Sequence, residues 1–245
     1  MDILTACHLG PTPYREGLAL QEALVSARSE GATGDWLLFP DHPPVLTVGR
    51  SGGPGSLKAD AATLRARGVE VYEVARGGDI TGHGPGQLVA YPIVGLSRVG
   101  RDLHVFLRHL EGAVIETLEG WGLAGERVAG RTGVWVEGEK IASIGIAVRR
   151  WVGYHGIALN VAPDLAGFDL IHPCGLRDVH MTSMSRRLGP RCPSLAEVRA
   201  ALAERLARRL GYGRVEWAPS SAARSVRWPA ATAALDGTAA SGGRG

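Results

Sequence analysis

Apolar and polar positions along the chain fall into stretches of helical and of strand period. Leu18, Leu20, Ala23, Leu24 and Ala27 recur at helical spacing, which predicts a helix over 13–28. Short apolar runs predict strands at 35–40 and 45–50, with a glycine-rich loop at 51–55 after the second. A short helix over 59–67 ends at Gly68, a suitable C-terminal cap. Residues 69–74 alternate apolar and polar, the pattern of a half-buried strand, and 88–94 read as a fully buried one. A long amphipathic helix is predicted over 103–121, closed by Gly122. Residues 133–136 and 140–148 form a predicted hairpin around a turn at 137–139, and 154–161 form the next strand. A helical turn at 164–168 leads into 171–176. Ser194 then caps a last helix that runs through Leu210, with Glu197 at the capping-box position. Hairpin strands mixed with a few helices predict an α+β domain with a mixed β-sheet over 1–217. From Ala218 the chain turns rich in Ala, Ser and Gly, so 218–245 reads as a disordered tail.

Composition narrows the class. With 45 % hydrophobic and 21 % charged residues over 245 positions, the chain can bury a real core and is not globally disordered. No apolar run reaches the roughly 20 residues of a membrane helix, and the N-terminus lacks the pattern of a signal peptide. Three cysteines, Cys7, Cys174 and Cys192, do not make a disulfide framework, so a cytoplasmic location is expected. The net charge of +3 comes with no Lys/Arg-rich run, so neither nucleic acid nor a membrane is expected as a partner. Only Lys58 and Lys140 are lysines among 27 basic residues.

The stretch Arg76-Gly-Gly-Asp-Ile-Thr-Gly-His-Gly-Pro-Gly-Gln87 holds five glycines in twelve residues. That much glycine is costly in chain entropy and suits a backbone that a ligand approaches closely. A dinucleotide fingerprint fails here, because Pro85 interrupts it and a strand rather than a helix follows; a phosphate loop fails for want of Gly-Lys-Ser/Thr. Cys174 stands between Pro173 and Gly175, where a thiol is presented at a bend; Cys7 reads as a core residue. A zinc site built from His172, Cys174, His180 and Cys192 matches no common ligand spacing. A cysteine nucleophile needs a neighbour that makes or keeps the thiolate, and the candidates are His83, His155, His172 and Lys140. Lys140 opens an apolar strand. A solvated turn lysine is the commoner case, but in an arginine-dominated chain a retained lysine points to an amine that must give up its proton, which arginine does not do.

Four stretches together resemble the lipoyl(octanoyl) transferase family: 41–50, 76–87, 140–145 with 151–161, and Pro173-Cys-Gly-Leu176. The resemblance spans roughly 9–210. It implies a mixed sheet flanked by helices, as in biotin and lipoate protein ligases. It implies transfer of an octanoyl group from octanoyl-acyl carrier protein to a lysine on the lipoyl domains of 2-oxoacid dehydrogenase complexes and on the glycine cleavage H protein. By resemblance, Cys174 carries the acyl group as a thioester and Lys140 activates the thiol. Arg76, Gly77, Gly78, Asp79, Ile80, Thr81, Gly82 and His83 then line the acyl and phosphopantetheine site. Ser143, Ile144 and Gly145, with Gly156, Ile157 and Ala158, match two further substrate segments. Gly153 departs from the family, which usually has a threonine there. On this reading no ATP and no metal is needed, since the donor already carries a thioester on phosphopantetheine. Backbone N–H groups near Gly77, Gly78 or Cys174 are the expected oxyanion donors, and Ile80, Ile144 and Ile157 the expected apolar lining. The rival readings are an ATP-dependent ligase of the same fold, a non-catalytic scaffold, and, more remotely, a papain-like hydrolase.

Overall fold

The computed structural model describes residues 2–172 and 179–226. In chain order, β1 (Ile3–Pro11) leads into α1 (Tyr14–Ser29), followed by β2 (Asp35–Asp41), β3 (Val45–Val48), α2 (Ala61–Ala66), β4 (Glu70–Glu73), β5 (Ile80–His83) and β6 (Gln87–Gly95). The second half comprises α3 (Leu103–Glu119), β7 (Glu126–Val128), β8 (Arg131–Val136), β9 (Glu139–Arg149), β10 (Val152–Asn160), α4 (Met184–Leu188), α5 (Leu195–Arg209), β11 (Arg214–Trp217) and α6 (Ser220–Ser225).

Eight strands form one sheet in the order β11-β1-β2-β6-β10-β9-β8-β7, and β4-β3-β5 form a small second sheet. The large sheet is mixed: β11, β1 and β2 run parallel, and every pairing from β2–β6 to β7–β8 is antiparallel. Both of its faces are covered, so its central strands are apolar throughout rather than alternating; all nine residues of β6 are buried. Leu37, Phe39, Leu88 and Ala90 pack with Phe106, Leu110, Leu202 and Leu206 of α3 and α5. Their neighbours Trp36, Leu38, Val89 and Tyr91 pack on the opposite face with Leu24 and Val25 of α1 and Ala223 of α6. Each such side chain contributes about 1.5–3 kcal/mol on burial. The caps follow the sequence: Asp102 accepts from the amides of His104 and Val105 at the start of α3, and Ser194 and Glu197 form the capping box of α5.

Three expectations change. Residues 80–83 of the glycine-rich stretch form β5, paired antiparallel with β3, because Ile80 enters the small core of Leu46, Phe168 and Leu170. The strand predicted at 69–74 is a mostly exposed edge strand rather than a half-buried one, with Val71 facing solvent. The predicted tail does not begin at 218: Ala218 donates to Ala6 O, and α6 buries Ala223 against β1 and α1. Residues 227–245 and 173–178, including Pro173, Cys174, Gly175 and Leu176, lie outside the described residues.

Candidate active site

Lys140 sits at the start of β9, directly after a surface turn, yet it is only 1 % exposed. A solvated turn lysine is therefore excluded. Its backbone is held by the segment around Met181: its N–H donates to His180 O at 2.8 Å, and its carbonyl accepts from Thr182 N at 2.9 Å. Its amine donates to Thr132 O at 3.1 Å and lies 5.0 Å from the centre of the Trp135 ring. An ammonium out of water is costly unless partners replace the water. Gly133 makes the room: with φ +137, an added Cβ would stand 2.7 Å from Lys140 Cε.

Arg76 is 8 % exposed and points into the protein. Its guanidinium donates to the Thr47 carbonyl at 2.6 Å, to Thr47 Oγ1 at 2.8 Å, and to Gly77 O at 3.1 Å. Glycines explain why this stretch lies so close to two strands. A Cβ on Gly145 would meet Gly77 O at 2.9 Å, and one on Gly49 would meet Arg76 Nη1 at 2.8 Å. Asp79 anchors the turn, accepting from Ser56 Oγ at 2.5 Å and from the Ile80 amide at 2.6 Å.

A cluster of aromatic side chains lies beyond Arg76. His42 donates through Nδ1 to Thr12 O at 2.7 Å, since a carbonyl only accepts, and its Nε2 then accepts from Tyr91 Oη at 2.8 Å. Gln87 donates through Nε2 to Gly82 O and to Asn160 Oδ1, so its Oε1 accepts from His83 Nδ1 at 2.8 Å, leaving His83 Nε2 as an acceptor. Burial pushes His83 down to about 3, helped by His42 and Arg76. Burial and the Arg76 charge push His155 down to about 4. Burial raises Tyr14 to about 12 and holds the Tyr91 phenol well above its ordinary value. All four are neutral at pH 7.

A cavity of about 550 Å³ runs between these groups. Every expected substrate-site residue lines it except Gly77 and Gly82, and Lys140 lines it as well. Ile80, Ile144 and Ile157 supply apolar wall as expected. The Gly77 amide donates to Ile146 O at 2.8 Å, so of the expected oxyanion donors Gly77 is not available. Gly82 faces a neighbouring cavity of about 570 Å³, which shares His83 with the first. Among the described residues, no group of three or more His, Cys, Asp or Glu side chains is placed to hold a metal ion. Tyr14, Tyr91, Thr132, Trp135 and Val179 also line the cavity that Lys140 lines and carried no site assignment in the sequence. Val179 is the first described residue after Cys174.

Residues 13–207 match the family of lipoyl protein ligase A/B catalytic domains. An octanoyltransferase of Chloroflexus aurantiacus is 49 % identical over 214 residues, 86 % of this chain and 94 % of its own. An octanoyltransferase of Geobacter sulfurreducens is 48 % identical over 195 residues, 80 % of each chain. This chain belongs to the octanoyltransferase family. It is thereby an acyltransferase, and its mixed sheet with flanking helices is the fold of that wider group. A crystal structure of lipoate-protein ligase A bound with ATP superposes with a TM-score of 0.68 at 18 % identity, covering 91 % of this chain and 93 % of the other, a likeness of fold. Gly153, the departure from the octanoyltransferase pattern, lies away from the cavity: a Cβ there would press Phe106 Cε1 at 3.0 Å and Leu96 Cδ2 at 3.4 Å. That position bears on core packing, not on substrate contact.

Proposed function

We propose that this octanoyltransferase moves an octanoyl group from octanoyl-acyl carrier protein to a lysine of a lipoyl domain, through a thioester on Cys174, with Lys140 as the base. The supporting observation is the Lys140 amine, buried on the cavity wall with both Thr132 and Trp135 against it, on the same cavity that Val179 lines. The cavity volume of about 550 Å³ lies within the range of small-molecule sites and accepts an eight-carbon chain.

In the first half-reaction, Lys140 takes the Cys174 proton and the thiolate attacks the carbonyl carbon of the donor thioester. The new C–S bond forms, the old one breaks, and the departing carrier thiolate takes the proton from Lys140. One thioester replaces another at little cost. In the second half-reaction the acceptor amine attacks the same carbon. Lys140 removes the amine proton, the amide forms, and Cys174 leaves as thiolate and is reprotonated. No step needs ATP or a metal. The neutral side chains of Tyr14, His83, Tyr91 and His155 suit an uncharged chain in their part of the cavity.

Intact-mass measurement tests the reading. Mixed with octanoyl-carrier protein and no acceptor, the enzyme gains one octanoyl group, and Cys174→Ala gains none. An unlabelled wild type, or equal labelling of the variant, overturns it. Transfer from free octanoate that requires ATP would place the chain with the ligases instead.

A further inference from the structure

The wall behind Lys140 is held by a residue from a different layer of the fold. Glu111 lies in the middle of α3 and is 1 % exposed. One carboxylate oxygen accepts from the Gly133 amide at 3.2 Å. The other accepts from Arg108 Nη1 at 2.6 Å and Arg127 Nε at 3.0 Å. Arg127 belongs to β7 and Gly133 to β8, so one side chain ties both arms of the β7–β8 hairpin to the helix. Residues 129–132 at the tip of that hairpin line the cavity, and the Thr132 carbonyl accepts from the Lys140 amine.

We infer that Glu111 is a positioning residue for the Lys140 amine, acting through the Gly133 amide and the Thr132 carbonyl beside it. The inference rests on the proposed role of Lys140. The local geometry is demanding. Gly133 stands at φ +137, where the backbone passes within a Cβ's width of Lys140 Cε, and the β8–β9 register shifts between Val134 and Trp135. The β9 ladder holds Val134 to Ala142 and Trp135 to Lys140 on either side of that shift. The Glu111 carboxylate adds a restraint from the other side. Arg108 and Arg127 are both partly exposed and reach the carboxylate from the rim. They offset the burial of its charge, while the contact with Gly133 sets the position of the hairpin.

The test separates the acceptor from the charge. Glu111→Gln keeps an amide oxygen for the Gly133 N–H and lets the two arginines turn to solvent. Glu111→Asp keeps the charge but withdraws the acceptor by one methylene. In single-turnover acylation by octanoyl-carrier protein, Glu111→Asp should lose about 10- to 100-fold in the rate constant at saturating donor, with half-saturation unchanged. Glu111→Gln should stay within about threefold of wild type, on the same physical ground. Leu110→Ala, a core substitution on the same helix, should lower the melting temperature yet keep the rate constant. The inference is overturned if Glu111→Asp acylates at the wild-type rate, if Gln loses as much as Asp, or if Leu110→Ala slows acylation equally. Lys140→Ala is run alongside. If it acylates normally, the role of Lys140 fails and this inference with it. If it is inactive while Glu111→Asp is normal, only the inference on Glu111 fails.

Discussion

The backbone amide of His155 donates to Gln21 Oε1 at 2.8 Å, not to the neighbouring strand. Pairing between β6 and β10 breaks off after Gly153↔Val94 and resumes at Ile157↔Ala90, and His155 adopts φ +57 inside that gap. A left-handed non-glycine residue in a central strand is strained, and such strain persists only where the surroundings impose it. Gln21 from α1 takes up the amide that this backbone turns away from the ladder. Gln21→Leu should therefore cost about 1–3 kcal/mol, because it strands a buried N–H. Urea unfolding measures this, and an unchanged midpoint would refute it.

Protonation of the buried histidines sets a pH dependence. His83 and His155 are held at about 3 and about 4 in the fold against 6.5 when exposed. Between those values and 6.5 the unfolded chain binds more protons than the folded one. The stability that these residues contribute is thus complete above about pH 6.5 and is lost as the pH falls toward 4. The unfolding free energy should decline from pH 6.5 to 5, before carboxylates titrate. Replacing His155 by Asn should flatten that slope by about one proton. An equal slope in the variant would show that His155 titrates normally.

Two glycines that look alike in sequence should behave oppositely. A Cβ on Gly49 would meet the Gly78 carbonyl and Arg76 Nη1, whereas one on Gly34 meets nothing within 4 Å. Gly49→Ala should cost about 1–3 kcal/mol by overpacking and should slow acylation by displacing the Arg76–Gly78 stretch. Gly34→Ala should be neutral in both. Thermal melts paired with the mass assay decide it, and matching behaviour of the two variants would count against the close approach.

The proposed base role of Lys140 needs an amine that can give up its proton, which arginine does not supply. General-base catalysis is worth about 10²–10⁴-fold, so Lys140→Arg should lose at least the lower figure in acyl-enzyme formation while remaining folded. Turnover near wild type would dismiss the amine as the base.

Residues whose chemistry is unusual for their surroundings were legible in the sequence. Lys140 stood out in a chain of arginines, and Arg76 through His83 stood out by glycine, and all but Gly77 and Gly82 of these line the cavity. The aromatic wall was not legible, because Tyr14, Tyr91 and Trp135 sit at helix and strand positions where any core aromatic would serve. Strand β5 was hidden because glycines at 77, 78, 82, 84 and 86 drown the alternation that Ile80 and Thr81 carry. Glu111 carried no assignment in the sequence, being one charge within the amphipathic helix predicted over 103–121. Its role shows only once Gly133 and Arg127 arrive from β8 and β7 to meet it beside Arg108 of its own helix.

The order of the large sheet has a practical consequence. Strands β1 and β11 pair with each other at one margin, and Gly213 N donates to Asp2 O, so the first and last described strands share an edge. Lys140 and the β7–β8 hairpin lie toward the opposite margin. A surface tether, affinity handle or fluorescent fusion joined through β1 or β11 thus attaches at the margin of the large sheet away from Lys140.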